Sequence, residues 1–262
     1  MKKVLEKYNL SDFGMVSFKH LNIFDVRSKA RIPQNSKTAI AIIFPYYNKN
    51  AMNGNISAYC SVEDYHIVVM KQLKSICADL KNAYPEYSFE PFVDSSPIDE
   101  VHMAVKAGLG VKGKNSLLIT PKWGSFVFIG EILTDMEGET SDFEGKGCAD
   151  CGLCIKSCPG GAIADGTVNK ERCASHISQI KGELTQAETE ILKRAKTVFG
   201  CDICQKVCPH NKKICQEENL FSYNILNTVE RNTVAQIYKQ RAFGFRGLKT
   251  LERNLDIFED IQ

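Results

Sequence analysis

The chain has no run of eighteen apolar residues, so hydropathy offers no membrane-spanning helix and no membrane partner is expected. It opens Met1-Lys2-Lys3 and continues in polar sequence, without the apolar stretch of a secretory leader, and a cytoplasmic location is expected. Charge of one sign is also lacking: 33 basic residues against 31 acidic ones leave a formal +2, too close to neutrality to announce a nucleic-acid binder. There is no repeat of solenoid length and no low-complexity tract. What is left is ordinary globular sequence, since 262 residues of which 44% are hydrophobic suffice for one large domain or two small ones.

Cysteine is what the sequence has in excess. An odd count of 11 in a chain without a leader favours metal ligation over a disulfide framework, and most of them crowd between Cys148 and Cys204. Cys148-x2-Cys151-x2-Cys154-x3-Cys158-Pro159 is the bacterial ferredoxin run, in which the fourth cysteine ligates the other cluster. A partial run follows as Cys201-x2-Cys204-x3-Cys208-Pro209. Crossed ligation gives Cys148, Cys151, Cys154 and Cys208 to one [4Fe-4S] cluster and Cys158, Cys201 and Cys204 to a second, which lacks a ligand. Cys173, between the runs, is the best candidate, and Cys215, beyond the second Cys-Pro, is the alternative. Structural zinc also uses paired Cys-x2-Cys spacing, but the triple spacing and two Cys-Pro endings argue against it. Cys77 falls on the apolar face of an expected helix and reads as a packed hydrophobe. Two oxidised clusters on eight thiolates bring the net charge to about −2, so a polyanion must be met by a local basic patch.

The sequence ahead of the cysteines mixes strands and helices. Thr38 to Phe44 reads as a buried strand, and residues 63 to 82 as a helix with Ile67, Met70, Leu73, Ile76, Cys77 and Leu80 on one face. A second helix is expected from Ser96, with Pro97 in its first turn and Asp99 completing a capping box, to about Gly108. Ser116 to Ile119 and Ser125 to Ile132 read as strands of a hairpin joined through Pro121-Lys122-Trp123-Gly124. The aperiodic stretch from Glu137 to Gly147 is the expected domain boundary.

Outside the cysteines, Asp64-Tyr65-His66, Val93-Asp94-Ser95-Ser96-Pro97, Lys106-Ala107-Gly108-Leu109-Gly110, Gly113-Lys114-Asn115-Ser116, Gly124-Ser125, Ile129-Gly130-Glu131, Arg172-Cys173, Gln179-Ile180-Lys181-Gly182 and Gly200-Cys201-Asp202 follow in order. Together with the closing Phe245 to Asn254, this set resembles the epoxyqueuosine reductase family over roughly residues 38 to 254. The resemblance implies an α+β fold: a cobalamin-binding domain similar to the reductive dehalogenase core over 1–140, a ferredoxin-like double [4Fe-4S] domain over 141–220, and a helical extension packing back on the core over 221–262. It implies an oxidoreductase that deoxygenates the epoxide of epoxyqueuosine in tRNA to queuosine, with cobalamin and two clusters as cofactors. It also places the cysteine corresponding to Cys173 in the second cluster. The chain stops soon after the Arg253-Asn254 signature, so a short form without the family's C-terminal helical-repeat segment, working as a monomer, is expected.

The same resemblance makes Asp94 the proton donor for the alkoxide left by C–O cleavage. A helix N-terminus would lower its pKa, a dry site would raise it, and a purely capping role is the plainer alternative. Positions matching the cobalamin pocket are Ser57, Gly113, Thr120, Ser175, Gln179 and Lys181, with Leu118 and Ile129 as apolar lining. His66 reads first as a structural histidine. Lys239, Arg241, Arg246, Lys249 and Arg253, interleaved with Tyr238, Phe243 and Phe245, form either a basic patch for tRNA or a solvated amphipathic segment. Cluster chemistry requires an external low-potential electron donor. Two further readings share these features: a cobalamin-dependent reductase of a free small molecule, such as a halogenated compound, and a non-catalytic two-cluster electron carrier.

Overall fold

The computed structural model describes residues 1–24, 29–145, 147–164 and 166–261. Its centre is a four-stranded antiparallel sheet in the order β1 (Phe13–Ser17), β2 (Thr38–Pro45), β6 (Val127–Thr134) and β3 (Phe89–Val93). β2 and β6 lie in the middle, with Ile40 opposite Ile132 and Ile42 opposite Gly130. Both are buried nearly throughout, and strand side chains alternate, so each needs cover on two faces.

One face, with Ile40, Ile42, Phe44 and Ile132, is covered by the helix α3 (Tyr65–Ala83) through Leu73, Ile76 and Leu80. At Gly130 a side-chain carbon would stand 2.6 Å from the Phe44 ring and 3.1 Å from Leu73, so the missing side chain lets the helix approach. The other face, with Ala39, Ala41, Ile43, Ile129 and Leu133, packs on Ile98 and on Met103 and Ala104 of α4 (Glu100–Lys106). Pro91 is tolerated in β3 because that strand is an edge and pairs only with β6.

The structure moves three of the sequence expectations. The stripe of α3 runs Val69, Leu73, Ile76, Cys77, Leu80, whereas Ile67 is exposed, because it lies about 200° around the helix from Val69. α4 begins at Glu100, not at Pro97: Asp99 is itself the cap, accepting from the His102 amide at 3.0 Å, and the Ser96 hydroxyl is occupied elsewhere. The expected hairpin does not form. Leu118–Ile119 (β5) pairs back on Val111–Lys112 (β4), while β6 is drawn between β2 and β3, leaving an isolated bridge from Thr120 to Gly124. Between Thr134 and Leu153 the described residues contain no helix and one isolated bridge, Val16 to Ser141; Lys146 lies outside them.

The cysteine-bearing segment holds short helices, α5 (Leu153–Ser157), α6 (Ala174–Ile177) and α8 (Ile203–Lys206), the hairpin β7 (Ile163–Ala164) and β8 (Thr167–Val168), and the longer α7 (Gln186–Ala195). α7 starts at a capping box between Thr185 and Glu188. The segment is sewn to the sheet domain by backbone bonds from Ser57 to Phe199, 2.8 Å, and from Val198 to Asn55, 2.7 Å. The C-terminal helix α10 (Leu248–Glu259) inserts Leu251 and Leu255 beside Phe199 and Phe243. Among the described residues no helix is long and apolar enough to cross a membrane.

Asn254 of α10 is fully buried, and its amide donates to the Ser178 and Val198 carbonyls at 2.8 and 2.7 Å. Asn254→Ala leaves two buried carbonyls unpaired, and chemical denaturation is expected to show a loss of about 2–3 kcal/mol.

Candidate active site and iron–sulfur centre

The loop leaving β3 places Asp94 in the left-handed region at φ 58°, which Asp tolerates better than most residues and which still costs free energy. Its Oδ2 stands 3.3 Å from His66 Nε2. His66 lies in the first turn of α3, and its Nδ1 is 2.7 Å from Asp64 Oδ1, the oxygen that also caps the helix by accepting the His66 amide. Between two carboxylates, His66 is pushed up to about 9, the bond to Asp64 being the larger cause and that to Asp94 the next. Asp94 is held below the usual carboxylate range, first by His66, with burial opposing and the Tyr65 hydroxyl donating a further bond. The resting pair at neutral pH is therefore imidazolium and carboxylate, with one proton between them. The Tyr65 ring stacks on Phe128, centroids 4.2 Å apart, and on His66 at 4.0 Å.

Two cavities meet at Asp94 and Tyr65. The smaller, about 450 Å³, is walled by Leu117, Leu118, Val127, Phe128 and Ile129, with Glu100 at one side. The larger, about 1060 Å³, is bounded by Tyr59, His66, Ser175, Gln179 and Phe245. An apolar slot opening on a polar basin suits a flat macrocycle with a polar rim. Asp94, Leu118, Ile129, Ser175 and Gln179 are thus brought together. Four other residues are placed elsewhere. The Ser57 hydroxyl donates to Asp202, and Thr120 Oγ1 donates to the Gly124 carbonyl and accepts the Trp123 amide. Gly113 turns the β4–β5 connection, where a side-chain carbon would meet Asn115 Oδ1 at 2.4 Å, and Lys181 is exposed.

The cysteines fall into two groups. Burial raises the Cys208 thiol, and charge at the nearby Cys151, Cys154 and Cys148 adds to it; the four border one shared hollow. Cys201 feels Cys173 and Cys158, and Cys204 feels Cys201 and Cys173. Burial pushes Cys201 up to about 11 and Cys204 up to about 12, so a positive metal core is needed to hold both as thiolates. Backbone amides point at the sulfurs, as from Ala162 to Cys158 Sγ at 3.2 Å. Among the described residues no three His, Cys, Asp or Glu are grouped tightly enough to hold a single metal ion. Thiol-only quartets around a wider space fit [4Fe-4S] cubes. Cys215 lies apart, against the apolar cluster containing Trp123, its amide bonded to the Lys122 carbonyl. Cys60 and Cys77 are buried in the core.

The cysteine segment and the cavity share an interface. Ser125, on the smaller cavity, donates to Gln205 of α8 at 3.0 Å, accepts from Asn211 at 2.9 Å, and bonds its own amide to Asn211 at 2.8 Å. Asn115, in the β4–β5 turn, hydrogen-bonds Cys204. Electron-carrying groups packed against a cavity with an acid–base pair define an iron–sulfur oxidoreductase.

Comparison with known proteins narrows the class. Residues 147–211 match the family described as 4Fe-4S double cluster binding domain, and residues 28–95 match Epoxyqueuosine reductase QueG, DUF1730. An epoxyqueuosine reductase of Cyclobacterium marinum is 34% identical over 89% of this chain and 80% of its own length. One of Lactococcus garvieae is 34% identical over 75% of this chain, which spans 58% of that relative. The structure of epoxyqueuosine reductase from Streptococcus thermophilus superposes with a TM-score of 0.81 at 25% identity, covering 98% of this chain and 79% of that one. One of an epoxyqueuosine reductase with an epoxyqueuosine-modified tRNA stem loop gives 0.81 at 21%, over 99% and 80%. A reductive dehalogenase, described with a mechanism for B12-dependent dehalogenation, shares the fold at 0.54 and 16%, over 99% and 35%. The chain belongs to the epoxyqueuosine reductase family.

Sequence reasoning read His66 first as a structural histidine and gave no role to Tyr65, Glu100 or Glu131; the structure sets His66 between Asp64 and Asp94. Glu131 did carry a signal, as a lone charge inside the apolar run from Val127 to Leu133. The C-terminal basic residues divide. Arg241 is buried on the Ser61 carbonyl, Arg253 bonds the Ile180 carbonyl at 2.7 Å, and Phe243 is in the core. Arg246 stacks on exposed Phe245, 4.3 Å from its ring centre, at the edge of the larger cavity. Lys239, whose ammonium lies 5.7 Å from the centre of the Tyr238 ring, and Lys249 are both exposed.

NMR titration of the His66 ring is expected to give a midpoint near 9, falling toward ~6.5 in Asp64→Asn. Because the folded value exceeds the unfolded one, the pair's contribution to stability is complete below about 6.5 and is lost as pH rises through 9.

Proposed function

We propose that this chain is a cobalamin-dependent reductase that removes the epoxide oxygen of epoxyqueuosine in tRNA to give queuosine. Cys148, Cys151, Cys154 and Cys208 would hold one [4Fe-4S] cluster, and Cys158, Cys173, Cys201 and Cys204 the other. The observation that carries the reading is Asp94, turned by its left-handed backbone into the junction of an apolar slot and a wider basin, with Ser125 of the slot bonded to Gln205, the neighbour of Cys204. Leu118, Ile129 and Phe128 would bound the macrocycle, and Ser175 and Gln179 its polar rim. The clusters transfer electrons singly at low potential, drawn from an external donor. Cobalamin, when bound, supplies a strongly reducing cobalt centre for cleaving a carbon–oxygen bond.

The chain's own residues handle the proton. His66 and Asp94 hold it at the mouth of the slot, within reach of an oxygen of a substrate entering from the basin. Asp64 fixes the imidazole through Nδ1, so Nε2 faces Asp94. Tyr65, pinned on Phe128, orients the same carboxylate. Phe245 with Arg246 at the basin's edge offers a stacking surface for a base of the tRNA. A cytoplasmic setting, where tRNA is modified, accords with this chemistry.

The test is reduction of epoxyqueuosine-bearing tRNA by the reconstituted protein, followed by mass spectrometry of its nucleosides. Asp94→Asn is expected to lower turnover by about 10²–10⁴ with cluster and cobalamin spectra unchanged. No queuosine from wild-type protein that has taken up both cofactors would exclude this substrate, and absence of cobalamin uptake would exclude the whole chemistry. Cys173→Ala should leave about half the iron per chain, whereas Cys215→Ser should keep all of it.

A further inference from the structure

Glu131 stands in the middle of β6 and is fully buried, with Ile129 and Leu133 beside it on the same face. One carboxyl oxygen accepts the Ser96 hydroxyl at 2.5 Å, and the other, Oε1, has no hydrogen-bond partner. Glu100, in the first turn of α4, lines the smaller cavity together with Asp94 and Tyr65. The groups facing Glu100 are Glu131 from β6, Asp94 from the loop after β3, Tyr65 of α3, and Asp99, the cap beside it. Described cations on neighbouring elements are turned away. Lys106 pairs with Asp142 and Glu144, His102 bonds the His20 carbonyl at 3.1 Å, Lys112 is exposed, and His66 is held by Asp64 and Asp94. β2 and β5, which pack on α4, carry no ionisable side chain.

Carboxyls gathered in a niche without a counter-ion cannot all ionise, and those farthest from water keep their protons. Asp94 has an imidazolium to stabilise its charge; Glu100 and Glu131 have none. Burial, and then the charges of Glu131, Asp94 and Asp99, push Glu100 up to about 8. Burial pushes Glu131 up to about 8 as well, with the Ser96 bond opposing.

The proposed reaction gives this arrangement a use. Converting an epoxide to an alkene breaks both carbon–oxygen bonds, takes in two electrons and two protons, and releases water. The electrons arrive one at a time from a one-electron donor through the clusters. The His66–Asp94 pair holds a single shared proton, so a second must be delivered within the same turnover. We propose that Glu100, seated in the Asp94 cavity against its buried neighbour Glu131, is the proton reservoir that recharges the Asp94–His66 pair, through water in that cavity. Glu131 is a positioning residue, acting through Glu100. The inference rests on the function proposed above.

Infrared difference titration of the cluster-loaded protein, without cobalamin or tRNA, reads the reservoir directly. Two protonated carboxyls titrating near pH 8 are expected: Glu100→Gln removes one of them, and Glu131→Gln removes the other and moves the Glu100 midpoint to lower pH. In turnover of epoxyqueuosine tRNA the wild-type rate should fall as pH rises through about 8, because the donor must be protonated. Glu100→Gln should be slower by ~10-fold or more and lose that limb, and Glu100→Asp should restore it in part. No carboxyl band titrating near pH 8, or an unchanged pH profile in Glu100→Gln, overturns the reservoir. A band that Glu100→Gln removes, with no reduction of this tRNA by any chain, supports the reservoir and overturns only the substrate.

Discussion

The rest of the molecule depends on one buried carboxylate, that of Asp202, which follows Cys201 directly and reaches across to the first turn of α2 (Ala58–Ser61). It accepts the Ser57 hydroxyl and, at 2.7 Å, the Ala58 amide. Ser57 is thereby the point at which the cysteine segment is clamped to the sheet domain. Gly200 makes the clamp sterically possible, since at φ 71° a side-chain carbon would lie 2.4 Å from Ser57 Cβ. Gln205 and Asn211 add a second seam to Ser125. Electron transfer needs a fixed distance between donor and acceptor groups, and a seam made of directional bonds between buried groups fixes it better than apolar contact alone.

Parts of this were legible in the sequence and parts were not. Seven of the eight proposed thiol ligands follow from spacing, because a crossed ligand set is a property of linear separation, whereas Cys173 rests on its place between the runs and on the resemblance. β2 follows from seven consecutive buried positions in a β-branched run. The failures share a cause, which is that local signals do not report tertiary partners. Val127 to Thr134 resembles half of a hairpin until it is seen to need two neighbours, β2 and β3. Pro97 looks like a helix start until the Ser96 hydroxyl is found on Glu131. Arg241 and Arg253 look like surface cations until their targets, main-chain carbonyls far off in sequence, are known. For Ser57 the resemblance pointed to a position that matters, but its hydroxyl serves the clamp, not the cavity.

The site itself combines opposed demands on one side chain. Asp94 must present a charge-stabilised carboxylate to a half-open basin, and it does so from a strained backbone fixed by β3 on one side and by Ser95 and Ser96 turns on the other, bonded to Val93 and Asp94 carbonyls at 2.7 and 2.8 Å. α4 starts too far along the chain to act on Asp94, and it is His66 that outweighs desolvation in favour of the anion. A protein that wants a carboxylic acid near neutrality at the same place therefore keeps it one layer deeper, where burial is greater and no imidazole is present.

Glu131 also bears on how the chain finds its fold. Strand side chains alternate, so a slip of β6 by a single position against β2 would carry this carboxyl to the opposite face, among Phe44, Leu73 and Ile76, away from the Ser96 hydroxyl. The mispaired sheet would hold a stranded polar group in a hydrocarbon layer, a fault of several kcal/mol by ordinary transfer scales, at ~2–7. A buried carboxyl beside the cavity thus doubles as a proofreader of strand alignment while the polypeptide collapses.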